Sequence, residues 1–165
     1  MSRSKEAQYY GLIKQKFCEL FETKGLKTHL EITASKTFSN TLKRKISDYR
    51  HIIFYFLKDV APDITGFVWK DTSHDFVVIE IKNEEIKLDY IYQARKYAEL
   101  FDSKFAFLVS TEEIPEEIKR LQKIVFSLLS LPAYRTMTLV QFDERSNSFT
   151  DWYPENPFEQ EHLWR

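Results

Sequence analysis

The stretch FVVIEIKNEE, residues 76–85, contains a β-strand that carries charges where a buried strand should be apolar. In an extended chain alternate side chains share a face, so the apolar residues at 77, 79 and 81 lie together on one face. Glu80 and Lys82 then lie on the other face, about 6–7 Å apart along the strand. Full burial of two charges is costly unless they are paired or bind a metal. The strand therefore needs a partner or a function for these two side chains.

The chain has 165 residues, of which 43% are hydrophobic, 16% aromatic and 30% charged. This length and composition predict one globular domain over residues 1–165 that buries a core without disulfides or a structural metal. The formal net charge of −1 excludes a protein covered with basic surface. Contact with nucleic acid must therefore come from a local basic patch.

The cellular compartment is indicated by the cysteine count and by the absence of targeting patterns. Cys18 is the only cysteine, which excludes an intrachain disulfide and a cysteine-rich zinc site and favours a reducing interior. No signal-peptide pattern is present, and no apolar run approaches the roughly 18 residues that a membrane span needs. We expect a soluble, intracellular, cytoplasmic protein without membrane contact.

Hydrophobic spacing predicts the element order α-β-α-β-β-α-β-α-β, followed by a tail with a turn and a short strand. The strands at 64–70 and 76–82 most simply form an antiparallel hairpin, and the helix after them joins two parallel strands. In the second helix the inward stripe is Leu42, Ile46, Tyr49, Ile53 and Phe56, and in the last helix it is Ile118, Leu121, Val125 and Leu128. Helices are predicted over residues 5–24, 41–58, 87–101 and 115–130, and strands over residues 26–33, 64–70, 76–82, 105–109 and 136–142.

The second predicted helix carries a cluster of basic residues, namely Lys43, Arg44, Lys45 and Arg50, with Phe38 and Tyr49 interleaved. One interpretation is a nucleic-acid surface, in which the cations contact phosphates and an aromatic ring stacks on a base or sugar. The other interpretation is the solvated side of an amphipathic helix. The sequence leaves both open.

A second acidic residue is expected beside Glu80. Pro62 can open a strand where its missing N–H is harmless, so Asp63 begins that strand and projects toward Glu80 on its neighbour. Carboxylate oxygens are the ligands that Mg²⁺ prefers, and a cation offsets the repulsion between two carboxylates. Lys82 faces the same site, where an ammonium can orient a water, stabilise a pentacovalent phosphate or act as a base.

Pro62-Asp63 followed by Glu80-Ile81-Lys82 resembles the signature of the PD-(D/E)XK nuclease superfamily. Gln93 and Tyr97 on the next helix are similar to the Gln-x-x-x-Tyr element of its RecB-like members. The resemblance implies an α/β restriction-endonuclease-like fold, a mixed central β-sheet flanked by helices. Its α-β-β-β-α-β core falls at about residues 5–110, with an inserted helix, and a C-terminal α-β extension occupies residues 111–165.

The resemblance also implies a Mg²⁺-dependent nuclease that hydrolyses phosphodiester bonds of nucleic acid, with DNA the favoured substrate. Asp63 and Glu80 would hold Mg²⁺ or Mn²⁺, and Lys82 would position or activate the attacking water. Gln93 and Tyr97 would support the site or contact the substrate. The expected partner is nucleic acid, and a homodimer is compatible with the family.

One feature of the family is missing from its usual position. Members carry a further acidic residue on the first helix, about three turns before its end, where this chain has Lys14 and Gln15. Glu19 is the candidate to replace it. Glu22 from a later turn and Glu6 from an earlier one are the alternatives.

Two other functions remain open. The missing acid favours a catalytically weak nucleic-acid-binding module on the same fold, which would bind divalent metal poorly. Alternatively Glu80 and Lys82 merely pair with each other in a structural or assembly protein that has no affinity for nucleic acid.

Overall fold

A mixed β-sheet of six strands forms the centre of the protein. The structure is a computed structural model that describes residues 2–164, with side chains from residue 5 to residue 164. The strands are β1 (Lys27–Ile32), β2 (Ile64–Lys70), β3 (Ser73–Lys82), β4 (Phe105–Ser110), β5 (Ser130–Leu131), β6 (Arg135–Thr136), β7 (Thr138–Asp143) and β8 (Ser148–Tyr153). The helices are α1 (Ser2–Glu22), α2 (Asn40–Arg44), α3 (Ile53–Phe56), α4 (Leu88–Phe101) and α5 (Glu116–Ile124), with 3₁₀ turns at Asp48–Arg50, Pro157–Glu159 and Glu161–Trp164.

The central sheet has the strand order β1-β2-β3-β4-β7-β8, and β5 and β6 form a separate two-stranded hairpin. The pairs β1–β2 and β2–β3 are antiparallel, β3–β4 and β4–β7 are parallel, and β7–β8 is antiparallel. The predicted hairpin and the predicted crossover through α4 are both confirmed. The α/β class, with a mixed sheet flanked by helices, is confirmed as well.

Both faces of the sheet are covered, and β3 contributes to both cores. Side chains at 77, 79 and 81 pack on one face with Phe17 and Phe21 of α1 and with Phe158 of the C-terminal segment. On the other face Val78 packs with residues of α2 to α5, among them Ile91 and Phe101. The predicted division of β3 into two faces is therefore confirmed.

The register of the β2–β3 hairpin fixes which residues meet at its open end. Ile64 pairs with Ile79, and Lys70 pairs with Ser73 next to the two-residue turn. Asp71 in that turn has φ +55°, a left-handed value that Asp tolerates better than most residues. One step beyond Ile64 and Ile79, the same register sets Asp63 opposite Glu80.

β1 approaches β2 so closely that one position requires glycine. Gly66 pairs with Leu30 of β1. A Cβ atom at Gly66 would collide with the carbonyl oxygen of His29 and lie 2.7 Å from the Cα of Leu30. The absence of a side chain is therefore what lets these two strands meet.

The prediction of one helix over 41–58 was wrong, because the segment is broken into α2, a 3₁₀ turn and α3. Ser39 caps α2 by accepting a hydrogen bond from the Leu42 N–H, and His51 Nε2 bonds the carbonyl oxygens of Lys43 and Ile46 beyond its end. The 3₁₀ turn between α2 and α3 interrupts the period of 3.6, which rotates the expected stripe out of register. Tyr49 and Phe56, predicted to point inward, are 80% and 59% exposed.

The last predicted helix was too long. α5 ends at Ile124, and Val125, predicted to point inward, is 37% exposed. Leu128 is buried as predicted, but a turn carries it into the core. The C-terminal extension therefore contains more strand than expected, and β7 and β8 lengthen the central sheet.

Over residues 2–164, none of the helices combines the length and the apolar character required to cross a membrane.

Candidate active site

Asp63 and Glu80 lie side by side at the open end of the β2–β3 hairpin. The Asp63 backbone N–H donates to Glu80 Oε1 at 2.9 Å, and the Ile81 N–H donates to Asp63 Oδ2 at 2.8 Å. The two residues are only 2% and 4% exposed. These reciprocal hydrogen bonds hold both carboxylates in fixed orientations at one place in the sheet.

Lys82 completes a group of three with these carboxylates. Its Nζ lies 3.8 Å from Glu80 Oε2 and 4.4 Å from the centre of the Tyr90 ring. The Lys82 side chain is 16% exposed, compared with 5% for that of Glu80. The ammonium is therefore held between a carboxylate and an aromatic face, on the side of the group closer to solvent.

The first helix reaches the site through Tyr10. The Tyr10 hydroxyl donates to Asp63 Oδ1 at 2.9 Å, and its ring is buried. Glu6 lies four residues earlier and is 3% exposed. Because residues four apart are neighbours on a helix surface, Glu6 is next to Tyr10 on the helix face that contacts Asp63.

Thr33, directly after β1, fixes the backbone of the Pro62–Asp63 pair. Its N–H donates to the Asp63 carbonyl at 2.8 Å, and its hydroxyl donates to the Pro62 carbonyl at 2.6 Å. The same hydroxyl lies 2.8 Å from that of Thr65. All three elements that surround Asp63, namely α1, β1 and β3, thus bond to it.

Glu19 does not join this site, contrary to expectation. It is exposed and accepts a hydrogen bond from Gln15 at 3.3 Å. Glu19 follows Tyr10 by nine residues, which is two and a half helical turns and therefore the opposite face of α1. Glu22 is exposed as well. Of the three acids considered, Glu6 is the one on the Tyr10 face.

Gln93 and Tyr97 continue a row along α4 that begins with Tyr90 at Lys82. The Gln93 amide donates to the Tyr97 hydroxyl at 3.2 Å, and Tyr97 is 1% exposed. Positions 90, 93 and 97 share one helix face. The predicted Gln-x-x-x-Tyr pair therefore lies on the same face of α4 as Tyr90, whose ring contacts the lysine.

The donor atoms of the site suit a hard divalent cation. Mg²⁺ is commonly bound by one or two carboxylates, with waters and substrate phosphates as the other ligands. Asp63 and Glu80 match that pattern. Across the part of the chain that the structure describes, no group of three His, Cys, Asp or Glu side chains is arranged to hold a metal ion.

The surface next to the site is acidic on one side. A groove of about 960 Å³ follows the ends of β3, β4 and β7. Its charged side chains are Glu84, Glu85, Glu112, Glu113, Asp143, Glu144 and Arg145. Because this surface repels a polyanion, nucleic acid would have to approach Lys82 from another direction.

The predicted basic cluster divides into two parts. Arg44 and Lys45 are exposed at the end of α2, and the Lys43 Nζ lies 5.4 Å from the centre of the Phe54 ring. Arg50 instead donates to the carbonyl oxygen of Leu100 at 2.7 Å, in the last turn of α4. Arg50 therefore has a structural contact, whereas the three residues of α2 remain candidates for phosphate contact.

A second cavity, of about 490 Å³, lies at the other end of β4 and is bordered by Phe105 and the C-terminal segment. Lys104 in its wall contacts Asp75 at 3.9 Å, and Arg135 contacts Asp102 at 3.1 Å. Its cations are thus already paired, and the cavity is separate from the Asp63 site.

Three supporting residues were missed by the sequence analysis, namely Tyr10, Thr33 and Tyr90. Tyr10 and Tyr90 had usable signals, since a buried tyrosine hydroxyl needs a partner and position 90 continues the helical spacing of 93 and 97. Thr33 had no such signal in the sequence, because it follows β1, which pairs with β2 across a long loop.

Comparison with known proteins gave no match from a scan of protein-family models, from a search of curated proteins or from a search of solved structures. The geometry of the residues is therefore what supports a function.

Proposed function

We propose that this chain is a metal-dependent nuclease that hydrolyses phosphodiester bonds of nucleic acid, with DNA as the substrate. The observation that carries the proposal is the group formed by Asp63, Glu80 and Lys82. Two buried carboxylates are held by reciprocal hydrogen bonds, with an ammonium 3.8 Å from one of them. Burying charged side chains costs free energy unless they are paired or bind a metal.

Each residue has a role that follows from its contacts. Asp63 and Glu80 would hold Mg²⁺ or Mn²⁺, which when bound polarises the scissile phosphate and stabilises the leaving oxygen. Lys82 would orient the attacking water and offset negative charge that develops on the phosphate. The Tyr90 ring would restrain the Lys82 ammonium, and Gln93 and Tyr97, which lie on the same helix face, would support the site or contact the substrate.

A restriction-endonuclease-like core is the finer fold assignment that we propose. The order α1, β1, β2, β3, α4, β4 corresponds to the α-β-β-β-α-β core of that fold. The segment with α2 and α3 is an insertion between the first and second core strands. The antiparallel pairing of β1 to β3 and the parallel pairing of β3 with β4 support this assignment.

A nucleic-acid-binding module with little cleavage is the second candidate. It is favoured by the absence of a three-ligand group in the described residues and by the hydrogen bonds that Asp63 already accepts on both oxygens. Mn²⁺ titration by calorimetry separates the two candidates. A nuclease binds Mn²⁺ and loses that binding in Asp63→Asn, whereas a degenerate site shows no difference between the two proteins.

The proposal is tested by incubating the protein with supercoiled, linear, single-stranded and branched DNA, with and without Mn²⁺. We expect Mn²⁺-dependent cleavage by the wild type and a decrease of about 100-fold or more in Lys82→Ala. Binding of nucleic acid should persist in that variant, because the role of Lys82 lies in the transition state.

Lys104→Ala is the matched control. Lys104 also lies near a carboxylate, at 3.9 Å from Asp75, and near an aromatic ring, at 5.3 Å from the centre of Phe105, but outside the site. It should cleave like the wild type. Equal activity of Lys82→Ala and wild type, or no cleavage of any substrate by the wild type, would contradict the proposal.

A further inference from the structure

Between α2 and β2 the chain presents a row of large side chains to solvent. Tyr49, Ile52 and Tyr55 are 80%, 63% and 60% exposed. The N–H groups of His51, Phe54 and Tyr55 donate to the carbonyl oxygens of residues three earlier, at 3.1 Å each. Residues three apart are neighbours on one side of both a 3₁₀ turn and an α-helix, so Tyr49, Ile52 and Tyr55 share one side of the segment, and the Lys58 Nζ lies 4.1 Å from the centre of the Tyr55 ring. These four residues are here called the outer row.

The outer row rests on a fixed support. Ile53 and Leu57, on the other side of the same segment, are 6% and 1% exposed within the core. Arg50 anchors the segment to the end of α4 through the Leu100 carbonyl oxygen. The backbone that carries the exposed rings is thus held in place, which lowers the entropy cost of a ligand that stacks on them.

The positive charge around the outer row favours the binding of a polyanion. Residues 36–58 contain six Lys and Arg residues and a single acidic residue, Asp48, in a chain whose net charge is −1. The Lys58 Nζ lies 4.1 Å from the centre of the Tyr55 ring, and Arg44 and Lys45 are exposed nearby in sequence. Exposed rings among cations match unpaired bases on a phosphate backbone, whereas the bases of a duplex are already stacked inside it.

The outer row also leads to the candidate active site. Phe56 and Asp63 are seven positions apart in sequence, so their Cα atoms are at most about 25 Å apart. The core beneath the segment lies on the sheet face that carries Glu80 and Lys82, because Val78 of the same β3 face belongs to it. A strand stacked on the row can therefore continue toward Lys82 without crossing the sheet.

We infer that the outer row is a stacking platform for single-stranded DNA, which it guides to Asp63, Glu80 and Lys82. This inference rests on the proposed function and narrows the proposed substrate from DNA to single-stranded DNA. At about 1.5 Å per residue in α-helix and about 2.0 Å in 3₁₀ turns, the row from Tyr49 to Tyr55 is about 9–12 Å long, which is the length of about three nucleotides stacked at about 3.4 Å.

Fluorescence anisotropy in EDTA tests this with two labelled probes, an oligothymidylate of about 20 nucleotides and a duplex of the same length. The wild type should bind the oligothymidylate more tightly than the duplex. Tyr49→Ala/Tyr55→Ala should weaken oligothymidylate binding by about 10-fold or more, and duplex binding by less than about twofold. Phe126→Ala/Tyr134→Ala, which removes two rings that are 78% and 106% exposed elsewhere, should bind like the wild type.

An unchanged oligothymidylate Kd in Tyr49→Ala/Tyr55→Ala, or a wild-type preference for the duplex, overturns the inference. So does a wild-type dimer that this variant dissociates in sedimentation velocity with no change in Kd, because the row is then a self-association surface. Cleavage assays with Mn²⁺ separate this inference from the proposed function. Cleavage with no effect of the double variant refutes the platform alone, whereas ring-dependent binding without cleavage supports the platform and refutes the nuclease.

Discussion

At the scale of single residues, the orientation of Asp63 depends on donors from two different layers. The Tyr10 hydroxyl reaches Oδ1 from α1, and the Ile81 N–H reaches Oδ2 from β3. Each donor fixes one oxygen, so the carboxylate has little freedom to rotate. The Tyr10 hydroxyl can therefore restrict the orientation of the Asp63 carboxylate.

Tyr10→Phe removes one of these donors while keeping the ring in the core. We expect Mn²⁺ affinity to fall by about 10- to 100-fold, as is typical when a partner that orients a metal ligand is removed. The free energy of unfolding should decrease by about 1–2 kcal/mol. Calorimetric Mn²⁺ titration and urea unfolding measure the two effects.

Tyr9→Phe is the control, since it removes the neighbouring hydroxyl of the same helix. Tyr9 interacts with Glu144 instead of Asp63, and its burial together with that carboxylate raises the pKa of Tyr9 to about 12. Its Mn²⁺ affinity should equal that of the wild type. Equal Mn²⁺ affinity of Tyr10→Phe and wild type would show that the Tyr10 hydroxyl only stabilises the fold.

At the scale of elements, the packing of β1 on β2 depends on Gly66. Gly66→Ala forces a Cβ against the His29 carbonyl oxygen, which is backbone and cannot rotate away. We expect a loss of about 1–3 kcal/mol or more in the free energy of unfolding. Because Thr33 follows β1 and bonds to Asp63, cleavage should also fall. Chemical denaturation and the cleavage assay report the two results.

Gly11→Ala is the matched control for this substitution. Gly11 lies within α1, and a Cβ there meets no atom within 4 Å. Because Ala is the better helix former, this variant should gain about 0.5–1 kcal/mol in stability. If Gly66→Ala is as stable as the wild type, β1 can move away from β2 and the close approach is not required.

The elements that the sequence predicted well are those whose pattern is local. The hairpin could be predicted from two β-like runs with a polar turn, and its register then implies that Asp63 faces Glu80. The segment 41–58 could not be predicted, because α2 ends at Arg44 and a 3₁₀ turn at Asp48–Arg50 separates it from α3. The prediction of Glu19 was wrong because it considered only the position along α1 and not the face of the helix on which Glu19 lies. The contact of Thr33 with Asp63 depends on tertiary structure that no local pattern encodes.

At the scale of the whole molecule, charge is separated between two regions. The groove beyond β3, β4 and β7 is acidic, whereas residues 36–58 are strongly basic. A nearly neutral protein can therefore present a positive surface to one side and a negative surface to another. Nucleic acid should accordingly bind with a salt dependence set by the basic region alone.

The variant Lys43→Ala/Arg44→Ala/Lys45→Ala tests this separation. DNA affinity should fall about equally for all sequences, because phosphates carry no sequence information. The slope of log affinity against log salt should flatten by up to about 0.9 for each phosphate that the variant no longer neutralises. Filter binding over a range of salt concentrations measures the slope.

A second triple variant is the control, because it changes the net charge by the same amount as the first. Arg120→Ala/Lys123→Ala/Arg145→Ala removes three exposed cations outside the basic region. Its salt slope should equal that of the wild type. If both triple variants change the slope equally, the overall charge and not the position of the α2 cations governs binding.

β3 lies between two cores, and this position limits local unfolding of the strand. Its side chains belong to the core on each face, and its backbone is bonded to β2 on one edge and β4 on the other. Residues 77–79 pair with both neighbouring strands and residues 77–81 are buried, so we expect the hydrogen-bonded amide protons of this part of β3 to exchange with solvent only when the whole domain unfolds. One of those amides, that of Ile81, holds the Asp63 carboxylate. We therefore expect the two carboxylates to keep their relative arrangement as long as the domain stays folded.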